Sequence, residues 1–506
     1  NGRRPYHGHS TPLPMPRRKG DRIGIASLIE ASDNSTRITG RMWAGLVAAA
    51  IGIFLTALDV TVNVALPNIT GDLNTDLETV QWIIIFYVGG TTGMQLGLGA
   101  AADIYGLKRF FVFGLFTYML AVFLIGVAPG LGFVLGLRVL QAVGNGLILA
   151  AAPAIVTGLF PAGSRGRALG MMAGLGTLGM ITGSLGGGVL VDAFGWRAIF
   201  LGRLPLCALG IAFALVAVRE VKNPGPAQSY DLRGAVTLFI GMASFILFVT
   251  LAGRDGWSRP YVLGLVALSV AAMFVFTRIE RRAKRPILDL ALLKHRVLAP
   301  ALTAAFLVTV ATFINWFILP FYVSDVLGAS ARAWGVLLML HAVTAALTSP
   351  VGGWLSDRAH PSHTITAAMT VSALAMFWFT TLDTQSSLTD VGMRMVAAGL
   401  GMGLFQASNA NLIMGNFTRD RLGMGGAVMT LSRSLGTVSS VAIMGALFSA
   451  RQAARSGVPD VADTPIDPPT FVLAFRDLYT VAGVLAALAV VVSFSYWPWA
   501  MRRRSR

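Results

Sequence analysis

The stretch WAGLVAAAIGIFLTALDVTVNVALP, residues 43–67, holds one charged side chain, Asp59, in a run otherwise free of charge. Roughly 20 apolar residues cross the hydrocarbon core of a bilayer as a helix, so this segment reads as a membrane crossing. The pattern recurs at about 79–98, 108–128, 131–157, 166–190, 197–218, 232–253, 261–279, 298–322, 332–355, 363–382, 387–414, 424–448 and 475–498. The chain therefore reads as an all-α, polytopic membrane protein of about 14 transmembrane helices, with the lipid bilayer as its solvent. Composition agrees: of 506 residues, 55% are hydrophobic and only 12% charged, against about 25% charged in soluble domains.

The net charge of +17 does not point to nucleic acid, because the basic residues fall in alternate short gaps between apolar stretches. Cytosolic loops carry the Lys and Arg excess. Lys108 and Arg109, Arg165 and Arg167, Arg219 to Arg233, Arg278 to Arg296, Arg358, and Arg419 and Arg421 occupy one set of gaps. Asp72, Asp76, Glu78, Asp192, Asp325 and Asp383 occupy the other. This assigns both termini to the cytosol of a cell-membrane protein. Residues 1–41 read as a disordered basic tail and 500–506 as a second basic tail. The one cysteine, Cys207, sits in an apolar stretch and reads as a packing residue. No G-x-x-x-x-G-K-[ST], H-E-x-x-H or C-x-x-C motif is present. The expectation is a protein that is not an enzyme, uses no cofactor or metal, and does not burn ATP directly.

Two segments repeat a short pattern. Gly99-Ala-Ala-Ala-Asp103 ends the second stretch and Gly353-Trp-Leu-Ser-Asp357-Arg358 ends the tenth, both at a basic gap. A repeat in matched positions implies two related six-helix halves, 42–220 and 298–499, with two inserted helices and their linkers in 221–297.

Charge inside these stretches marks candidate sites, since an intramembrane carboxylate costs roughly 2.5–3.5 kcal/mol on insertion scales. Asp59 lies about eight residues inside the end of its stretch, and Arg138 about seven inside the start of the fourth. At 1.5 Å per residue both sit roughly 10 Å below the same face. An Asp59–Arg138 pair, direct or through water, satisfies both. Burial disfavours the charged form of a carboxyl group, so Asp59 reads as a proton carrier, the alternative being a structural ion pair. Arg203 enters at similar depth; it either joins the pair, lines a substrate cavity, or snorkels to the interface. His341 is mid-stretch and titrates nearest neutral pH; it is a second proton-coupling candidate or a neutral core histidine. Asn315, Trp316, Gln406, Asn409 and Arg433 are candidates for lining a substrate cavity, and the amides, with Asn411, are equally suited to bonding between helices. The fifth stretch carries Gly170, Gly174, Gly176, Gly179, Gly183, Gly186, Gly187 and Gly188, a spacing that permits very close packing.

From Trp43 to Trp499 these residues resemble the major facilitator superfamily, in its fourteen-helix drug:proton antiporter branch. Leu58-Asp59-Val60-Thr61-Val62-Asn63-Val64-Ala65-Leu66-Pro67 is similar to that branch's first-helix signature, whose acid is assigned to proton coupling. Gly99 to Arg109, including Asp103, Gly106 and Lys108, resembles a loop signature that forms a gating contact between halves. Arg138-Val-Leu-Gln141 resembles the fourth-helix signature, whose arginine is linked to proton transfer. Gly179-Met-Ile-Thr-Gly183-Ser184-Leu-Gly-Gly187-Gly188 resembles the antiporter signature. Trp196-Arg197-Ala-Ile-Phe200 and Glu280 to Pro286 are also similar to this branch. Departures are Ile104 and Leu107 in place of arginines, Ser184 for Pro, Ala142 for Gly, and Arg203 for Asn.

The resemblance implies the major facilitator fold and a proton-coupled exporter of drugs or other amphipathic small molecules, working as a monomer with small-molecule cargo and protons as its partners. Export of an endogenous lipid, siderophore or metabolite on the same scaffold is the second expectation. Arg203 adds fixed positive charge and so leans toward anionic cargo.

Overall fold

A computed structural model of the chain describes residues 40–160, 164–218, 231–255, 258–283, 295–358, 361–417, 422–456, 467–495 and 497. Among these residues the regular elements are all helices. In chain order the long rods are α1 (Gly40–Asp72), α2 (Trp82–Tyr105), α3 (Leu107–Gly126), α4 (Leu131–Leu159), α5 (Arg165–Phe194), α6 (Ala198–Ala217) and α7 (Leu232–Asp255). They continue as α8 (Pro260–Glu280), α9 (Leu298–Val326), α10 (Ala331–Arg358), α11 (Pro361–Phe379), α12 (Leu388–Met414), α13 (Leu422–Ser456) and α14 (Pro468–Phe494). Twelve described helices are long and apolar enough to cross a membrane. The remaining two rods, α2 with 24 residues and α11 with 19, stand at the other expected positions. This is a multi-pass membrane protein. The tails expected at 1–41 and 500–506 lie outside the described residues, apart from Gly40 and Arg41, which open α1.

Local chemistry sets the ends of the rods. α12 starts on a capping box: Ser387 Oγ accepts from the Asp390 backbone N–H while the Asp390 carboxylate accepts from the Ser387 N–H. α14 begins at Pro468, ahead of the expected 475, because Asp467 caps the Thr470 N–H and Pro468 supplies the fixed φ of a first turn. The turn between α2 and α3 is Gly106 at φ 113°, a conformation L side chains rarely adopt.

Two bundles follow the chain halves. α3 packs on α4, α4 on α2, and α1 on α5 and α6; α10 packs on α12, α12 on α11, and α14 on α11 and α9. The bundles meet along two seams, α5 against α10 and α2 against α13. The α7–α8 hairpin lies outside this arrangement. α7 contacts α2 and α13, whereas α8 leans on α7 and exposes Leu263, Val270 and Phe274. Exposed apolar side chains on that face suit lipid contact.

At the end bearing Asp72, Asp192 and Asp383 the α5–α10 seam is closed. A Cβ on Gly188 would sit 2.6 Å from the Ala331 carbonyl oxygen, and one on Gly335 would sit 2.5 Å from that of Ser184. Only glycine allows backbones this near each other. The Asp192 carboxylate of α5 accepts the Ala331 and Arg332 N–H groups at 3.1 and 3.0 Å, so one bundle caps the first turn of a helix in the other. Toward the basic end Met171 and Leu175 on α5 and Leu347 and Val351 on α10 are exposed, and a Cβ on Gly170 or Gly174 would meet nothing within 4 Å.

Candidate functional site

α1 is broken in the middle. Its two segments stop at Ala57 and restart at Val60, and the join uses short bonds, Thr61 N–H to the Leu58 carbonyl at 2.9 Å and Val62 N–H to Asp59 at 3.1 Å. Such breaks arise where side chains enter the backbone ladder. Here two do: the Tyr118 hydroxyl lies 3.1 Å from the Leu55 carbonyl, and Arg203 Nη2 donates to the Leu58 carbonyl at 3.1 Å. Asp59 stands at the break.

Five side chains surround its carboxylate. Arg203 Nη1 donates to Oδ1 at 2.5 Å and Gln141 Nε2 at 2.9 Å. The Tyr87 hydroxyl donates to Oδ2, and the Tyr118 hydroxyl is 3.1 Å away. Arg138 Nη1 forms an ion pair with Oδ1 at 3.6 Å, so the expected pair exists at charge-pair rather than hydrogen-bond distance. Arg138 is otherwise held by the Ile83 carbonyl at 3.0 Å and Gln141 Oε1 at 2.7 Å, with its guanidinium over the Tyr87 ring. Arg203 also donates to Thr61 Oγ1 at 2.5 Å, and its Nε has no partner. Asp59, Arg138 and Arg203 are 8%, 1% and 2% exposed. Two guanidiniums against one carboxylate leave the cluster at net +1 with Asp59 ionised and +2 with it protonated.

The cluster opens on one side to a cavity of about 680 Å³ between the bundles. Asp59, Asn63, Tyr87 and Arg138 line it from α1, α2 and α4; Phe313, Trp316, His341, Gln406 and Arg433 line it from the other bundle. That size suits a drug-like molecule. His341 Nδ1 is 3.3 Å from the Met395 carbonyl, a contact only an N–H can make, and its ring stands edge-on to Trp316 at 5.6 Å. The tautomer that results leaves Nε2 as an acceptor.

Several expected residues lie elsewhere. Arg203 is not on the cavity wall, and it does not snorkel: it is behind Asp59, held by the Leu58 carbonyl, the Thr61 hydroxyl and Asp59. Asn315 faces away from the cavity and accepts from the Tyr479 hydroxyl at 2.7 Å, because one residue turns a helix by about 100° and its neighbour Trp316 takes the cavity side. Asn409 is buried off the cavity with its Oδ1 unpartnered. Asn411 bonds Ser356 and Asp357 at 2.7 and 2.8 Å, tying α12 to the second G-x-x-x-D segment. In the first such segment, Gly99 and Asp103 fall within α2, and their side chains lie outside the described residues. Lys108 reaches the Leu215 carbonyl of α6 at 2.7 Å, inside its own bundle. Arg358 stacks over Trp354. Of the glycines, Gly179, Gly183 and Gly187 face α1 at Phe54, Val60 and Thr61, and Gly188 alone of that set faces α10.

Sequence reasoning passed over Tyr87 and Tyr118 and gave Gln141 no role. A signal existed for Tyr118: it lies eight residues before the end of α3 at Gly126, the same depth as Asp59. Buried phenols seek a partner.

The model of the Major Facilitator Superfamily matches residues 49–441 and 301–505. The chain belongs to that superfamily. It is 28% identical over 403 residues to the multidrug transporter protein MdtP of Bacillus subtilis, covering 79% of this chain and 74% of that protein. It is 27% identical over 416 residues to the riboflavin transporter RibZ of Clostridioides difficile, covering 80% and 88%. Its fold matches the crystal structure of a bacterial homolog of the human lysosomal transporter Spinster at a TM-score of 0.65 and 16% identity, over 92% of this chain and 98% of that one. The chain is a transporter rather than an enzyme.

Proposed function

We propose that this protein is a proton-driven antiporter of the fourteen-crossing kind that exports amphipathic small molecules by alternating access, from the cytosol across the cell membrane, acting as a monomer. The observation that carries the reading is a carboxylate ringed by two arginines, two phenols and an amide, opening onto a drug-sized cavity between bundles whose α5–α10 seam is closed at the acidic end. The multidrug name of one relative supports the cargo class. With the basic end in the cytosol, the closed end is external and the cavity opens inward.

Asp59 carries the proton. Its lone pairs are filled, so a proton displaces a donor. Tyr87 is the one that moves, because it alone of the hydroxyls lines the cavity. Protonation removes the only negative charge in the cluster and loosens Arg138 and Arg203 from it. The change reaches the seam through packed backbone: Gly183 and Gly187 touch α1 next to Asp59, and the adjacent Gly188, with Asp192 one turn further, holds α10. Proteoliposomes with an imposed pH gradient, monitored for proton entry and for efflux of a dye panel, test this. Gradient-independent transport, or full coupling by well-folded Asp59→Asn, overturns it.

A second reading, export of an endogenous metabolite, draws on the riboflavin transporter among the relatives. The same vesicles loaded with riboflavin separate the two.

A further inference from the structure

Arg433 differs from Arg138, Arg203, Arg394 and Arg455. Arg138 and Arg203 are held by Asp59, and Arg394 by the Trp378 and Asp390 carbonyls at 3.0 and 2.6 Å. Arg455 pairs with Asp477 at 2.7 Å. Arg433 lines the cavity from the first half of α13, as the twelfth of its 35 residues; it is exposed there, and among the described residues no side chain or carbonyl bonds it. The only carboxylate on that wall, Asp59, belongs to the cluster in the opposite bundle. A guanidinium at membrane depth does not discharge and is costly without an acceptor. The same cavity is lined by Phe313, Trp316 and Met402, with Thr437 one turn along α13 from Arg433. The cavity thus offers, on one bundle, an aromatic surface and one unclaimed cation.

Resting on the exporter reading, we infer that the cargo is an amphipathic, aromatic molecule bearing one acidic group (a carboxylate, sulfonate or phosphate), which pairs with Arg433 while its ring system lies on Trp316 and Phe313. A guanidinium binds such oxyanions with two parallel charge-assisted hydrogen bonds. Positive charge from Arg203 was the sequence ground for anionic cargo; that guanidinium is consumed by Asp59, and the anion site is Arg433 instead. Proton and cargo occupy different groups in different bundles, so they exclude one another through conformation and not by competing for one carboxylate.

Three probes share one ring system and differ in head group: 1-pyrenebutyrate, its neutral primary amide and the matching butylamine. Binding to the purified full chain in phosphatidylcholine nanodiscs is followed by tryptophan quenching at pH 7.5. The acid should bind at least tenfold tighter than the amide, and the amine weakest. Arg433→Gln should abolish the acid's advantage and leave amide binding within twofold, while Arg433→Lys keeps most of it. Displacement of the acid by phosphatidylglycerol, but not by soluble benzoate analogues, would place the acidic group on a lipid and support the site. Tighter binding of the amine, or equal loss of acid and amide in Arg433→Gln, overturns the inference and leaves the exporter reading standing. Binding of none of the three counts against both.

Discussion

The two walls of the cavity treat charge in opposite ways. On the α1–α6 side every ionised group is committed: Asp59 meets Arg203, Gln141, Tyr87, Tyr118 and Arg138, and nearly every donor in the cluster has an acceptor. On the α9–α14 side the wall carries uncharged polar groups, Thr309, Thr312, Gln406, Thr437 and His341 held by the Met395 carbonyl, and its one cation, Arg433, has no protein partner among the described residues. A saturated cluster is costly to disturb and has two charge states, which suits a switch. An unsaturated wall holds its bonding capacity for something that arrives from outside. On the proposed function, the division of labour is proton on one side and cargo on the other.

The largest effect expected from this comparison is at Asp59. Asp59→Asn strands two buried guanidiniums, and breaking a buried pair costs about 3–5 kcal/mol, so thermal unfolding in detergent should shift sharply downward. Adding Arg203→Asn should restore part of the loss, since it removes one of the stranded charges. A double variant no more stable than Asp59→Asn alone would break the claim that Arg203 is held there by charge.

Next comes a pair of tyrosines, one in each bundle. Tyr87→Phe deletes a donor to a carboxylate, worth about 1.5–3 kcal/mol, while Tyr479→Phe deletes a neutral bond worth about 0.5–1.5 kcal/mol. Tyr87→Phe should also lower the proton-to-cargo flux ratio in vesicles, and Tyr479→Phe should leave it unchanged. Equal effects of the two on that ratio would erase the distinction between the walls.

A smaller effect belongs to the seam. Asp192→Ala removes a helix cap worth about 1 kcal/mol, roughly a fivefold change in population. Spin-label distances between the acidic ends of α5 and α10 should lengthen in a corresponding fraction of molecules. An unchanged distribution would mean that Gly188 and Gly335 close the seam unaided.

The smallest is Arg433→Gln. With no partner to lose, its unfolding free energy should match the wild type to within about 0.5 kcal/mol. A loss as large as that of Asp59→Asn would show that Arg433 is a structural group after all.

What the sequence determined by itself was periodicity and depth. Long uncharged runs can be satisfied in lipid only as helices, so the rods were legible, as was the shared level of Asp59, Arg138 and Arg203. Start signals such as Asp467-Pro468 were also in the chain, local enough to read. Rotation about each axis was not. Asn315 and Trp316 are adjacent, yet one faces Tyr479 and the other the cavity, and only the packing of α9 against α13 and α14 sets which. The same holds for Gly187 and Gly188, which touch α1 and α10 respectively. The break in α1 and the placing of Arg203 behind Asp59 were likewise decided by tertiary structure. Membrane helices lack an amphipathic stripe that announces an inner face, since lipid and core are equally apolar. Which polar group meets which is therefore settled by close fit and by the cost of leaving a buried charge alone.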